Sequence, residues 1–165
     1  MKKPIALGIR GFLVVVVSLV LAGCGSNTET LVLTQVATQP PLLTPLDLNP
    51  AGINGDTTVF EVPVYIDGEP AGALMGSMIK VSGPGEGVRK DREERMTTAV
   101  FVLPDGQISV LGVSYYIESA AILPAGEPVT RAIVGGTGDY VGINGEVATV
   151  RNSDDSYTHT MTFIR

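Results

Sequence analysis

The sequence predicts an all-β protein whose strands close into an eight-stranded antiparallel barrel. Apolar and polar residues alternate with a period of two from residue 57 onward, as in half-buried strands. The 20 Gly and 11 Pro residues supply many turns between short elements. No segment combines a sustained helical period with capping residues. An open sheet of this kind would leave two exposed edges, and closure into a barrel removes them.

The predicted strands and their connections define one domain. Strands are predicted at residues 57–67, 72–81, 96–103, 107–117, 118–123, 128–134, 142–151 and 156–164. In the first of these, Phe60 and Val62 share one face and Glu61 lies on the other. Pro63 cannot donate a ladder hydrogen bond, which indicates an edge, a bulge or a bend at this point. Residues 82–95 carry glycines and charges of both signs, so we expect a solvated loop or an edge-protecting segment there.

The residues before the predicted barrel fall into two parts. In residues 1–23, three basic residues precede an apolar run at 12–22, which is the pattern of a signal peptide. The run is shorter than the roughly 20 apolar residues that a bilayer span needs. Residues 24–56 are predicted to be a linker, because four prolines between positions 40 and 50 interrupt any continuous element. The leucines of this range leave docking on the domain as an alternative. The barrel domain is then predicted at 57–165.

The tetrapeptide Leu21-Ala22-Gly23-Cys24 resembles the lipobox of bacterial lipoproteins. In that class a signal peptidase cuts before the cysteine, and the new N-terminus is acylated. Cys24 is the only cysteine, so an intramolecular disulfide is excluded, and its place at the cleavage point argues against a buried core residue. The resemblance implies a protein of the bacterial cell envelope, lipid-anchored outside the cytoplasm, on the outer membrane or on the outer face of the cytoplasmic membrane.

The charge of the chain bears on its partners. Three of the 11 Lys and Arg residues lie in residues 1–23 and none of the 17 Asp and Glu residues do, so the cleaved chain carries 8 − 17 = −9. This balance argues against nucleic acid as a partner.

A glycine-rich segment, Gly135-Gly136-Thr137-Gly138, is predicted to form a structural turn. A dinucleotide-binding loop would need its third glycine at the position of Val141, and the residues that follow read as a strand rather than a helix. Phosphate binding is therefore not the expected role of this segment.

Residues 132–147, Ala-Ile-Val-Gly-Gly-Thr-Gly-Asp-Tyr-Val-Gly-Ile-Asn-Gly-Glu-Val, resemble the allene oxide cyclase and dirigent superfamily of small barrels. In that family a strand enters a Gly-Gly-Thr-Gly turn, an aromatic residue follows, and a glycine precedes the next strand. Residues 107–112 and 59–62 are similar to two further strands of the family, and the likeness runs in order from about residue 57 to 165.

The resemblance implies an eight-stranded antiparallel barrel, commonly assembled as a trimer, with a largely apolar cavity. In the cyclases an epoxide derived from a fatty acid is held there and closed to a cyclopentenone. In the dirigent proteins reactive intermediates are steered with little covalent chemistry by the protein. We therefore expect a small hydrophobic ligand as the partner, and a homotrimer.

The same resemblance indicates two catalytic candidates, Glu61 and Pro70. The cyclases have a glutamate that assists epoxide opening and, nine positions later, a proline whose carbonyl helps to hold a bound water. Pro63 stands where the plant cyclases have an asparagine that shares this water. A carboxylate pointing into an apolar lumen would have its charged form disfavoured, and could act as an acid, a base or an electrostatic stabiliser.

Four further residues are candidates for ligand binding. His159 is the only histidine, and it lies on the apolar face of the last predicted strand, where it is either a ligand contact or a satisfied core residue. Tyr65, Tyr115 and Tyr116 offer phenol donors to the lumen or to a subunit interface. No metal site is expected, because the domain has no second His and no Cys. No cofactor is expected either.

Two functions remain open from the sequence. The first is an isomerase or cyclase that relies on orientation and water exclusion in the barrel. The second is a non-catalytic lipoprotein that binds an apolar ligand or uses its outer face for partners. Both predict a pocket, but only the first needs an ionisable group that points into it.

Overall fold

The computed structural model describes residues 27–37, 44–46, 54–117 and 122–165, and regular structure in these ranges is entirely β. The nine strands are β1 (Thr28–Gln35), β2 (Thr44–Leu46), β3 (Thr57–Ile66), β4 (Glu69–Ser82), β5 (Glu93–Leu103), β6 (Gly106–Tyr116), β7 (Val129–Gly138), β8 (Asn144–Arg151) and β9 (Tyr157–Ile164). Within the same ranges there is no helix with the length and apolarity to cross a membrane.

The strands form a closed antiparallel barrel. Their order is β1-β9-β8-β7-β6-β5-β4-β3, and β1 also pairs with β3 through Thr34 and Tyr65, which closes the sheet on itself. The short strand β2 pairs with the beginning of β3. Eight strands therefore make the barrel wall, which confirms the fold class predicted from the alternation of apolar and polar residues.

The first barrel strand lies within the range predicted to be a linker. β1 pairs with β9 over its whole length, and Leu33 is fully buried in the lumen while Val32 points outward. The barrel thus begins at Thr28 and not at Thr57. The strand predicted at 118–123 is replaced by a single bridge between Ile117 and Ile122 in the described residues, and positions 118–121 lie outside them. The barrel has eight strands, as predicted, but β1 takes the place of the strand predicted at 118–123.

The two ends of the barrel are filled differently. One end, called the closed end below, carries the turns of the β3–β4, β5–β6 and β7–β8 hairpins and the first residue of β1. Buried apolar side chains fill it, including Val64, Leu103, Ile108, Ile143 and Phe163. The opposite end, called the cavity end, holds the ends of β1, β6 and β8 and the starts of β5, β7 and β9. A smaller cluster of Met78, Tyr116, Leu123 and Val129 packs there.

Pro63 occupies a place where β3 has no recorded partner on one side. β3 pairs with β2 at Thr57–Val59 and with β1 only at Tyr65, and on its other side Pro63 lies opposite Ala73 of β4. A register shift follows between Val64 and Tyr65 in the pairing with β4. The irregularity predicted from this proline is therefore present.

Residues 1–26 lie outside the described residues. The predicted signal peptide and the predicted lipidation of Cys24 fall in this range. Both stay predictions.

Candidate functional site

The barrel contains a cavity of about 360 Å³ at its cavity end. Known small-molecule pockets have volumes of roughly 300–1,000 Å³. Space is left because the inward positions of β5 change from Leu103 at the closed end to Ala99 and Thr97 at the cavity end. Most of the wall is apolar or aromatic and includes Phe60, Leu74, Met78, Phe101, Leu123 and Val147. The cavity is thus suited to a small apolar molecule.

One side of the cavity carries connected polar groups from five adjacent strands. This polar row consists of Thr97, Ser114, Arg131, Thr149 and His159, one from each of β5 to β9. Four of them line the cavity, and the fully buried Ser114 joins Thr97 to Arg131. The Thr97 and Ser114 hydroxyls are 2.8 Å apart. Arg131 donates from Nε to Ser114 Oγ at 2.8 Å and from Nη1 to Thr149 Oγ1 at 3.0 Å. Thr149 Oγ1 lies 3.0 Å from His159 Nδ1. The cavity therefore has one polar wall and an apolar remainder.

His159 has one ring nitrogen bonded and the other without a partner. Its side chain is only 3% exposed, and its Nε2 has no hydrogen-bond partner among the described residues. The Thr149 hydroxyl needs an acceptor, and the Arg131 guanidinium can only donate, so the hydroxyl donates to Nδ1. The network thereby assigns the proton of the neutral ring to Nε2.

The charge state of His159 follows from its surroundings. Burial, followed by the positive charge of Arg131, lowers the pKa of His159 from 6.5 to about 3. The ring also stands at an angle of 74° to Phe101, with 5.2 Å between centroids. At neutral pH it is therefore an uncharged hydrogen-bond donor on the cavity wall.

Arg131 is placed by a glycine on the neighbouring strand. A Cβ at Gly112 would come 3.1 Å from both Cβ and Cγ of Arg131, so the absence of a side chain lets the arginine stem lie against β6. Arg131 is half-buried because it borders the cavity. Burial lowers the pKa of Arg131 from its ordinary value, while the nearby Tyr116 phenol favours the charged form. The guanidinium stays charged under all practical conditions.

Two tyrosines and the segment after β6 line the cavity end. Tyr116 donates its hydroxyl to Met78 Sδ at 2.9 Å. Burial raises the pKa of Tyr157. Leu123 is held in place by Arg151, which donates to its carbonyl at 3.3 Å. These side chains narrow the cavity end without filling it.

Two buried glutamates stand next to each other at the start of β5. Glu93 is 2% exposed and pairs with Lys80, at 3.2 Å, and with Arg95. Glu94 is also buried, and it accepts from the amides of Val88 and Arg89 at 2.8 Å each. The range 82–95 was expected to be solvated, yet its last residues belong to a strand with buried carboxylates.

A further bond completes the setting of Glu94. Ser82 Oγ donates to this carboxylate at 2.9 Å. Hydrogen bonds, led by the one from the Arg89 amide, lower the pKa of Glu94. Glu94 thus anchors the loop between β4 and β5 in its ionised form.

The structure separates the candidate residues taken from the sequence. Glu61 and Pro70 are both exposed, and Glu61 is on the outer face of β3, as the alternation with Phe60 and Val62 indicates. Tyr65 and Tyr115 are half-buried and do not line the cavity; the guanidinium of Arg89 lies 4.5 Å from the ring centre of Tyr115. Of the candidates taken from the sequence, His159 and Tyr116 are in the cavity wall.

The glycine segment 135–138 lies in the last part of β7. Its four residues pair with β6 from Ser109 to Gly106, and the turn to β8 follows at 139–143. A register shift between Ser109 and Val110 leaves Val134 as an extra residue. At Gly136 a Cβ would come 2.5 Å from the Cβ of Tyr140, so the segment supports the closed end through this close packing.

The described residues contain no cluster of His, Cys, Asp or Glu that could hold a metal ion. His159 Nδ1 is engaged by Thr149, and no carboxylate lines the cavity within those residues.

Comparisons with known proteins agree with this architecture. No family model matches the chain, and no curated protein matches it significantly. Among solved structures, a pyocyanin demethylase is 23% identical, covers 82% of this chain and 99% of its own, and has a TM-score of 0.60. A pterocarpan synthase dirigent protein is 17% identical over 97% of this chain and 99% of its own, with a TM-score of 0.62.

A third similar structure is an exo-specific intermolecular Diels–Alderase. It is 13% identical, covers 84% of this chain and 99% of its own, and has a TM-score of 0.58. At such low identities these structures show the fold alone. The chain has the allene oxide cyclase and dirigent type of barrel, which confirms the fold implied by the resemblance of residues 132–147.

Proposed function

We propose that this protein binds a small hydrophobic molecule in the cavity of its barrel. The observation that carries the proposal is the cavity itself, which combines an apolar wall with a polar row on one side. A barrel that served only as a scaffold would gain stability from larger side chains at Thr97 and Ala99. The unpartnered Nε2 of His159 supports the same conclusion, because buried polar atoms are nearly always satisfied by something.

An isomerase or cyclase activity is the catalytic form of this proposal. The similar barrels bear the names of a pyocyanin demethylase, a pterocarpan synthase dirigent protein and an intermolecular Diels–Alderase. In this cavity the means would be orientation of the substrate and exclusion of water. Arg131 would add electrostatic stabilisation of negative charge that develops on an oxygen. The alternative is a non-catalytic ligand-binding lipoprotein, which would use the same cavity without turnover.

Ligand binding is tested by filling the cavity with a larger side chain. Ala99→Leu places extra volume in the cavity, and Thr98→Leu, on the outer face of the same strand, is the matched control. The full chain, purified from membranes in detergent, is extracted for mass spectrometry and titrated with the neutral dye N-phenylnaphthylamine. We expect a bound apolar molecule and dye binding in the wild type and in Thr98→Leu, and loss of both in Ala99→Leu. Equal results for all three proteins, or no binding at all, would reject the proposal.

We also propose that the protein is anchored to a membrane by a lipid on Cys24 and lies outside the cytoplasm. The support is the lipobox-like sequence 21–24 after a basic and apolar leader. Labelled palmitate should be incorporated into the wild type and not into Cys24→Ser. Label retained in the variant would overturn the anchor.

We also propose that the protein self-associates through the outer face of its barrel. The expected assembly is a homotrimer. Ile79, Met96 and Val113 are cross-strand neighbours on β4, β5 and β6, and they are 41%, 48% and 42% exposed. A contiguous exposed apolar row of this kind is typical of an interaction surface. Light scattering of the full chain in detergent should give a trimer, and Met96→Glu should give a monomer. A monomeric wild type would contradict the assembly.

A further inference from the structure

We propose that the cavity selects ligands that carry a carboxylate on an apolar body, with the carboxylate bound by Arg131 and His159. The proposal rests on ligand binding in the cavity and deepens it by naming the chemical class of the ligand.

The first argument is the charge of Arg131. Four other arginines of the described residues have carboxylate partners; these pairs are Arg92 with Asp91 and Glu127, Arg95 with Glu93, Arg151 with Asp155, and Arg165 with Glu29. The fifth, Arg89, is exposed to solvent and lies over the ring of Tyr115. Arg131 has only hydroxyl partners there. A guanidinium taken out of bulk water normally has an anionic partner, because desolvation of an unpaired charge is costly. The cavity that Arg131 borders is the place for that partner.

The second argument is the number of free donors at the same point. Ser114, Thr149 and Tyr116 use three of the five N–H donors of Arg131, so two remain. The Nε2 hydrogen of His159 is a further donor without a partner. Arg131 Nη1 and His159 Nδ1 are both 3.0 Å from Thr149 Oγ1, which brings the two side chains together. A carboxylate accepts several hydrogen bonds and matches the fork of a guanidinium.

The third argument is the absence of competing anions. No Asp or Glu lines the cavity in the described residues, so no side chain there repels a carboxylate. Beside the polar row, Phe60, Leu74 and Phe101 offer an apolar surface for the remainder of the ligand. A molecule with one anionic end and an apolar body would satisfy both sides of the cavity at once.

The experiment compares charged and neutral forms of the same ligand shape. The probes are naphthalene carboxylate with its carboxamide, and decanoate with decanamide, titrated into the full chain by calorimetry at neutral pH. Naphthalene fluorescence provides a second readout, since the protein has no tryptophan. We expect each carboxylate to bind roughly ten- to a hundredfold more tightly than its amide, the range of a hydrogen bond to a charged group.

Variants identify the residues responsible. In Arg131→Met the preference for the carboxylate should disappear while the amide still binds, and His159→Phe should reduce the preference several-fold. Arg165→Met, which removes an exposed positive charge at the closed end, should leave the preference unchanged. The comparison within the wild type needs no variant, so it remains valid if Arg131→Met fails to fold.

The outcomes separate this inference from ligand binding itself. Equal binding of carboxylate and amide would overturn the anionic preference and leave ligand binding intact. Failure of all four probes to bind would overturn ligand binding as well. An unchanged preference in Arg131→Met would show that the carboxylate is held elsewhere and would reject the assignment to Arg131.

Discussion

Thr149 and His159 face each other across the β8–β9 pair, and within the described part of the chain the threonine hydroxyl is the one hydrogen-bond partner of the ring. Because that hydroxyl also accepts from Arg131, the histidine is linked to a positive charge that it cannot neutralise. Burial and this charge keep the ring uncharged, and its second nitrogen is left without a hydrogen-bond partner in the described residues.

Acidification should destabilise the protein through His159. The unfolded chain binds a proton at this residue below pH 6.5, whereas the native ring stays neutral down to about pH 3. The unfolded state therefore holds more protons in this window, and stability falls as the pH decreases through it. At about 1.36 kcal/mol for each pKa unit, the loss approaches about 5 kcal/mol at the lower limit. Urea unfolding at a series of pH values measures it.

The control for this prediction is His159→Gln, which keeps a polar contact for Thr149 and does not titrate. Carboxylates titrate in the same pH window in both proteins, so the difference between their stability curves isolates His159. A difference that does not change between pH 6.5 and 4 would contradict the assigned neutral ring.

The strand β1 should be essential for folding. Leu33→Ala removes a fully buried side chain and is expected to cost about 2–5 kcal/mol. Val32→Ala, at the adjacent outward position, is the matched control and should cost much less. Denaturant unfolding of the two variants gives the comparison. Equal, small effects would mean that residues 28–35 act as a linker after all.

The loop between β4 and β5 should loosen when its carboxylate anchor is removed. Glu94→Ala leaves the amides of Val88 and Arg89 without their acceptor, which we expect to cost about 1–3 kcal/mol. Trypsin should then cut faster at Lys90. Glu86→Ala, which removes two exposed and longer hydrogen bonds of the same loop, from Asn54 and the Gly83 amide at 3.3 Å each, should increase the cleavage rate much less. Comparable cleavage of both variants would argue against the anchor.

Glu61→Gln should leave ligand binding in the cavity unchanged. Its side chain is exposed on the outer face of β3 and does not contribute to the cavity wall. Arg131→Gln, by contrast, changes the polar row and should alter the affinity for a polar ligand. Titration with naphthalene carboxylate measures both. A large loss of affinity in Glu61→Gln alone would restore the role expected from the resemblance.

The sequence predicted the barrel because its strands are buried on one face. One-sided burial produces an alternation of apolar and polar residues along each strand, and this alternation predicted the strands from β3 to β9. β1 also alternates, with Leu31 and Leu33 on the inner side, but the prolines that begin at position 40 led to a linker prediction for the whole range. Proline restricts only its own neighbourhood, and the strand ends before the first of them.

The candidate site was only partly readable. Arg131 lies between Val129 and Ile133 at inward positions of β7, so the same alternation could have identified it. The alternation also predicted that Glu61 lies on the face of β3 opposite Phe60 and Val62. The resemblance to the cyclases nevertheless suggested a catalytic role for Glu61. The adjacent burial of Glu93 and Glu94 breaks the alternation, and it depends on a register shift between Lys80 and Ser82 that no local pattern reveals.

The early start of β1 also determines how the barrel would stand on a bilayer. Thr28 is four positions after Cys24, and four extended residues reach roughly 14 Å at most. A lipid on Cys24 would therefore hold the closed end against the headgroups, while Gln35 and the cavity end point away from the surface. A molecule that enters the barrel would then arrive from the aqueous side and not directly from the acyl chains.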